Sequence, residues 1–239
     1  EAASLVILDD NFSTIVEAIR AGRRIFDNIQ KAMGFIFSIH VPIAGLAVLP
    51  LLLDWPLVLT PVHIVFLELI IDPACSIAFE AEPEETNVMA RPPRNPNAPL
   101  FGMGQIVFSL FAGSISLMAI VLVFGFSFYH GYGEAEVRTL TFVTLVITML
   151  GLILVNRSRS ENFWRALRLP NRAVWWVIGG ALCFLAGVIY IPQVREIFRF
   201  AEPHWTHLII TIGAGGFVVL FLEIAKFMRP ESTPFQRTR

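Results

Sequence analysis

Six long apolar stretches dominate this 239-residue sequence and leave few folds open to it. They run roughly over 32–53, 61–79, 105–128, 139–155, 173–192 and 206–228. A helix that crosses the hydrocarbon core of a bilayer needs about 20 predominantly apolar residues. Inside lipid such a run satisfies its backbone N–H and C=O groups within itself by forming a helix. The composition agrees. Hydrophobic residues make up 55% of the chain and charged ones 15%, with a mean hydropathy of +0.66, whereas a soluble domain carries about 25% charge. The expected fold class is therefore all-α: a polytopic membrane bundle of six transmembrane helices. A net charge of −1 gives no electrostatic footprint for nucleic acid.

An even number of spans puts both termini on the same side, and basic residues choose that side. Of the 18 Lys and Arg residues, all but Arg138, Arg195 and Arg199 flank the spans on one side. The termini are thus expected to be cytoplasmic, in an integral multi-pass protein of the plasma (inner) membrane. Trp55, Trp175, Trp176 and Trp205 fall near span ends, as an interfacial aromatic belt would. Cys75 and Cys183 lie in apolar runs, with neither disulfide nor metal spacing, and read as small buried hydrophobes. The first residues, "EAASLVILDD", lack the basic start of a signal peptide.

The first 31 residues differ from the rest. "SLVIL" (4–8) reads as a short strand, and the acids that follow read as a turn. Thr14 and Glu17 make a capping-box pattern for a helix that runs from polar to apolar without a breaker beyond Gly22. A lone strand is not stable, so it is expected to belong to an α/β domain lying upstream. The expected organisation is a domain end at 1–12, a stalk helix at 13–31 and the membrane domain at 32–239. The longest connection, 80–102, contains five prolines and is expected to be a stiff, extended surface segment.

Within this apolar chain the stretch "FLELIIDPAC" (66–75) places two acids four residues apart, Glu68 and Asp72. On a helix they share a face. An ionised acid at mid-bilayer costs about 2.5–3.5 kcal/mol on insertion scales, so such groups persist where they face a protein interior and hold a partner. Two neighbouring carboxylates repel unless a cation or a shared proton lies between them. Pro73 has no N–H and clashes with the carbonyl of Leu69, which is left without its helical donor. Pro42 does the same to Ser38, two residues before His40. Hard cations take several oxygens, and carboxylates with freed carbonyls supply them. Counting inward from Ala32 and Glu80 at 1.5 Å per residue puts His40 and Asp72 at a common depth of about 12 Å, with Glu68 a turn further out.

Simpler roles stand beside these. The two acids could be hydrogen-bonded to a neighbouring helix, and His40 could be a packing group. Pro50 and Pro192 read as kinks at span ends, Glu223 and Lys226 as an i, i+3 ion pair, and His63 as interfacial.

These segments resemble P-type cation-transporting ATPases. "EAASLVILDDNFSTIVEAIRAGRRIFDNIQKAM" is similar to the family's passage from phosphorylation domain through stalk into the fifth membrane helix. "FLELIIDPACSIAFEAEPEETNVMARPPR" resembles the sixth helix with its following loop, and "RSRSEN" (157–162) resembles a patch after the eighth. The six spans would be helices five to ten. The resemblance implies an ATP-driven cation pump in which an aspartate of a soluble domain is phosphorylated. The phosphorylated "DKTGT" and the hinge "TGDGVND" do not occur here. ATP, Mg²⁺ and the actuator, nucleotide-binding and phosphorylation domains are therefore expected in an N-terminal half, with this chain as the ion-binding part. By the resemblance, Asp72 matches a cation-binding aspartate of the sixth helix. Glu68 falls where calcium pumps have Asn and sodium pumps an acid, and His40 falls on a fifth-helix Asn. Ile43 and Ile71 replace a Glu and a Thr of the calcium pumps, and no eighth-helix acid lies near Gly151. The implied cargo is a cation, Ca²⁺ among the candidates, with Glu68, Asp72 and His40 as ligands and Ser38 and Leu69 as carbonyl donors beside Pro42 and Pro73.

Two other readings use the same residues. A membrane scaffold or regulatory fragment would keep the bundle and pump nothing. A channel or secondary transporter would use the acids but leave the stalk and strand without a role.

Overall fold

The computed structural model describes residues 11–94, 99–157 and 167–228. Among the described residues the structure is helical throughout. The first helix, α1 (Phe12–Leu53), runs without a break through both the expected stalk (13–31) and the first apolar stretch. It is followed by α2 (Pro61–Pro73), a π-helical segment (Ala74–Phe79), α3 (Met103–Tyr129), α4 (Glu134–Asn156), α5 (Arg172–Tyr190), the short α6 (Pro192–Ile197) and α7 (Trp205–Met228). Six of these helical stretches are long and apolar enough to cross a membrane. The expected strand 4–8 lies outside the described residues.

Helix α1 starts earlier than its capping-box pattern suggests. Asn11 is the N-cap, and its side-chain oxygen accepts from the Ser13 amide at 3.0 Å. Asn is among the best N-caps, and it pre-empts Thr14. Gly22 sits inside the helix with open space around it, and Pro42 and Pro50 are carried within α1.

The centre of the bundle is α4. Of its most apolar stretch 83% is buried, against 22–44% for the other spans. Its threonines need partners there, since an unpaired buried hydroxyl is costly. Thr139, Thr141, Thr144 and Thr148 donate to the carbonyls of Ala135, Val137, Leu140 and Thr144 at 2.7–2.9 Å. Helices α1, α3 and α7 pack around α4, and α5 packs on the π-helical segment. The outer helices expose Leu51, Leu122, Trp176 and Phe217, as lipid-facing surfaces do.

Small residues let α3 approach α1 closely. A Cβ at Gly113 would lie 2.7 Å from Val41 Cβ and would also strike the Ser38 carbonyl oxygen. Both obstacles are backbone or branched at Cβ and cannot swing aside. Gly113→Ala is therefore expected to destabilise the bundle by about 1–3 kcal/mol, read as a lower thermal midpoint of the purified full-length protein in detergent.

Several local expectations are corrected here. His63 is fully buried rather than interfacial. Its Nδ1 accepts from the Thr60 amide at 3.1 Å, closing the start of α2. Its ring sits among Phe142, Phe198 and Phe200, with centroids 4.9–5.2 Å away. Three aromatic rings converging from α4 and the α6–α7 segment replace the expected headgroup environment. Cys183 is exposed on the outside of α5 and Cys75 is half-buried. Trp55 stacks on Phe124 at 4.7 Å, whereas Trp175, Trp176 and Trp205 stay exposed as belt residues do. Pro192 opens the separate helix α6. The Lys226–Glu223 pair forms at 3.4 Å.

The described part of the 80–102 connection is not an extended surface strand either. Glu82, Glu85 and Val88 are buried. Lys31 of α1 pairs with Glu85 at 2.8 Å, with both side chains sequestered. Asn28 donates to the carbonyls of Glu80 and Glu82, Arg23 to those of Val88 and Arg91, and Arg91 pairs with Asp27. Side chains one and two turns apart on the stalk strap the loop down, overriding the extended preference of its prolines.

Candidate cation site

Helix α2 presents two faces. Phe66, Leu67, Ile70 and Ile71 are buried against the bundle. Ile64, Val65, Glu68, Leu69 and Asp72 face away from it. With Pro73 these outward residues line an open depression of about 350 Å³. Glu68 and Asp72 thus share one face, as their spacing predicts, and that face is not covered by any described part of the chain.

The break after Asp72 is larger than a proline kink. From Ala74 to Phe79 the chain is π-helical. Pro73 has no amide hydrogen to give Leu69, and the next amide, Ala74, bonds the carbonyls of Ile70 and Ile71. The Asp72 carbonyl accepts from the Ser76 hydroxyl at 2.7 Å. Short π turns inside helices recur at functional sites. Pro73 was the only signal of this one in the sequence.

His40 lies exposed on α1. Its Nδ1 is 2.8 Å from the Ile36 carbonyl. A carbonyl only accepts, so Nδ1 carries the proton and Nε2 of the neutral ring keeps a lone pair. Ser38 is buried, and its hydroxyl donates to Gly34 O at 2.8 Å. The carbonyl that Pro42 deprives of its donor lies against Gly113 of α3. Pro42 itself is buried. Among the described residues no group of three His, Cys, Asp or Glu side chains converges in a way that could hold a metal ion. The two acids are brought together on one face; a full ligand shell is not assembled from the described residues.

Sequence reasoning passed over a buried polar knot below this site. Arg157 and Glu82, both fully buried, pair at 2.6 Å. Asn171 donates to the same Glu82 oxygen and to the Ala78 carbonyl, each at 2.8 Å. The acid-rich "EAEPEE" and the lone Asn171 ahead of an apolar run were visible, but their pairing across 75 and 89 residues was not.

A six-span helical bundle with two carboxylates on one face of a proline-broken helix defines a polytopic membrane protein. Residues 56–228 match the family described as cation transporting ATPase, C-terminus. This chain belongs to that family. It is 28% identical over 232 residues to calcium-transporting ATPase 1 of Lactococcus lactis, covering 96% of this chain and 26% of the relative. To the calcium-transporting ATPase of Bacillus subtilis it is 33% identical over 205 residues, covering 83% and 22%. To the human calcium-transporting ATPase type 2C member 1 it is 25% identical over 226 residues, covering 95% and 25%. The chain thus spans about a quarter of the length of the curated relatives it matches.

Proposed function

We propose that this chain is the ion-binding membrane region of an ATP-driven cation pump and that Glu68 and Asp72 are its carboxylate ligands. The observation that carries the reading is the outward placement of both acids on α2. Lipid does not tolerate two ionised carboxylates at that depth, so a further protein surface with its own oxygens must cover them. The shortfall in length against the relatives leaves room for such a surface, in an N-terminal half that would also carry the actuator, nucleotide-binding and phosphorylation domains with ATP and Mg²⁺. Leu69 O, next to the acids and deprived of its amide donor by Pro73, is the nearest carbonyl ligand. His40 Nε2 is a softer donor from α1, and Ser38 O would contribute if α3 shifted away from it. The names of the relatives favour Ca²⁺ as the cargo, and two carboxylates with carbonyl oxygens suit a hard divalent ion. The strapped loop after the π turn would transmit phosphorylation to the site. The distribution of basic residues favours cytoplasmic termini, and the proposed setting is the plasma (inner) membrane.

The test is a cation panel on ATP-dependent phosphorylation of the full-length protein. Calcium, manganese, magnesium and protons are compared, and calcium is expected to stimulate at the lowest concentration. Stimulation by none of them would favour the scaffold reading. His40→Ala tests the third ligand: an unchanged half-stimulating cation concentration removes His40 from the site.

A further inference from the structure

We infer that Asn171, held by Glu82 and Arg157, is a positioning residue that fixes the rotation of α2 and so aims the carboxylates of Glu68 and Asp72. The inference rests on the reading of those acids as cation ligands. Ala78, in the last turn of the π-helical segment, is completely buried. Its carbonyl accepts from Asn171 Nδ2 at 2.8 Å, and the second hydrogen of that amide goes to Glu82 Oε1 at 2.8 Å. Arg157 Nε donates to the same oxygen at 2.6 Å, and its Nη2 holds the Leu169 carbonyl at 3.2 Å. Asn171 Oδ1 meanwhile caps α5 by accepting from the Val174 amide at 3.3 Å. From the other side, Asn28 of α1 grips the carbonyls of Glu80 and Glu82 at 3.2 and 2.9 Å. Three elements distant in sequence therefore hold one end of the π turn, while at the other end Asp72 faces outward.

The geometry makes that grip matter. Asp72 and Ala78 are six residues apart, little more than one π turn. A π turn closes i to i+5 instead of i to i+4. Passing one residue into or out of it turns everything beyond by about 100°. Such a rotation would carry Glu68 and Asp72 off their common outward face. A fixed bond at Ala78 O selects one rotation. Asn suits this position because its amide offers two donors and one acceptor at once.

Asn171→Ser separates this role from helix capping. Serine caps α5 as well as asparagine, but its hydroxyl is too short to reach Ala78 O and Glu82. In the full-length protein, with Ca²⁺ as the probe, the concentration giving half-maximal ATP-dependent phosphorylation is expected to rise about tenfold, the scale of one lost buried hydrogen bond. The maximal level at saturating Ca²⁺ is expected to hold. An unchanged half-saturating concentration overturns the inference, and so does a fall in the maximal level alone, which marks a purely structural role. If the serine variant does not accumulate, Asn171→Asp with Glu82→Gln keeps every side-chain shape and the cap, yet gives Ala78 O no donor; the same rise is expected and the same constancy overturns it. Glu68→Gln run alongside keeps the two readings apart. If Glu68→Gln abolishes the cation-stimulated phosphorylation while Asn171→Ser leaves the half-saturating concentration unchanged, only the positioning role fails. If Glu68→Gln shifts nothing, the ligand assignment fails and the inference falls with it.

Discussion

Glu68→Gln and Asp72→Asn, each made in the full-length protein, are expected to abolish cation-stimulated phosphorylation. Each change keeps the size of the side chain and one carbonyl-type oxygen, and removes the negative charge that a hard divalent cation selects. The protein should still fold. Both acids face outward from the described bundle, so neither is part of the core packing. Replacing one of two neighbouring like charges also relieves their repulsion. The two effects must therefore separate: phosphoenzyme formation is lost across the whole cation range, while expression and thermal midpoint stay near those of the parent. Phosphorylation that survives at ordinary cation concentrations in either variant would remove that acid from the site.

Arg157→Met is expected to have the largest effect on stability. It leaves the fully buried carboxyl group of Glu82 without its guanidinium partner. Breaking a buried ion pair by removing one partner costs about 3–5 kcal/mol, whereas replacing both partners by neutral groups of similar volume is often close to neutral. Arg157→Met with Glu82→Gln should accordingly recover most of the loss, because the amide oxygen that takes the place of the Glu82 carboxylate can still accept from Asn171. Thermal unfolding of the purified full-length protein measures both variants. A single variant as stable as its parent would mean that water reaches Glu82 in the complete protein.

The membrane part of the fold was legible because its signal is coarse. Each span needs only length and hydropathy, and all six appear as helices close to their expected limits. Glu68 and Asp72 stood out for the same reason: charge is rare in such runs, and i, i+4 spacing fixes their common face. What stayed hidden depends on tertiary context. Ala74–Phe79 reads as ordinary helix, since nothing local distinguishes a π turn except the proline before it. His63 carries an interfacial residue type at a span end, and it is buried by Phe142 of α4 together with Phe198 and Phe200 folded back over α2. The prolines of 80–102 argue for an extended strand, but Lys31, Asn28 and Arg23 lie a turn apart on α1 and clamp the loop. The outward direction of the acids could not be read locally either, because a helix face has no meaning until its neighbours are placed.

The unbroken α1 has a mechanical consequence. Its 42 residues make a rod about 63 Å long. The rod comes close to α3 where Gly113 meets Ser38 O and Val41, and that contact would serve as a fulcrum. Phe12 lies 26 residues away on the N-terminal arm, about 39 Å, and Leu53 lies 15 residues away on the other arm, about 22 Å. A tilt of about 5° at the fulcrum moves Phe12 by about 3 Å and Leu53 by about 2 Å in the opposite sense. The loop straps on Arg23, Asp27, Asn28 and Lys31 ride on the longer arm. A small sideways push on the stalk would therefore reach the loop that follows the π turn, with no helix having to unwind along the way.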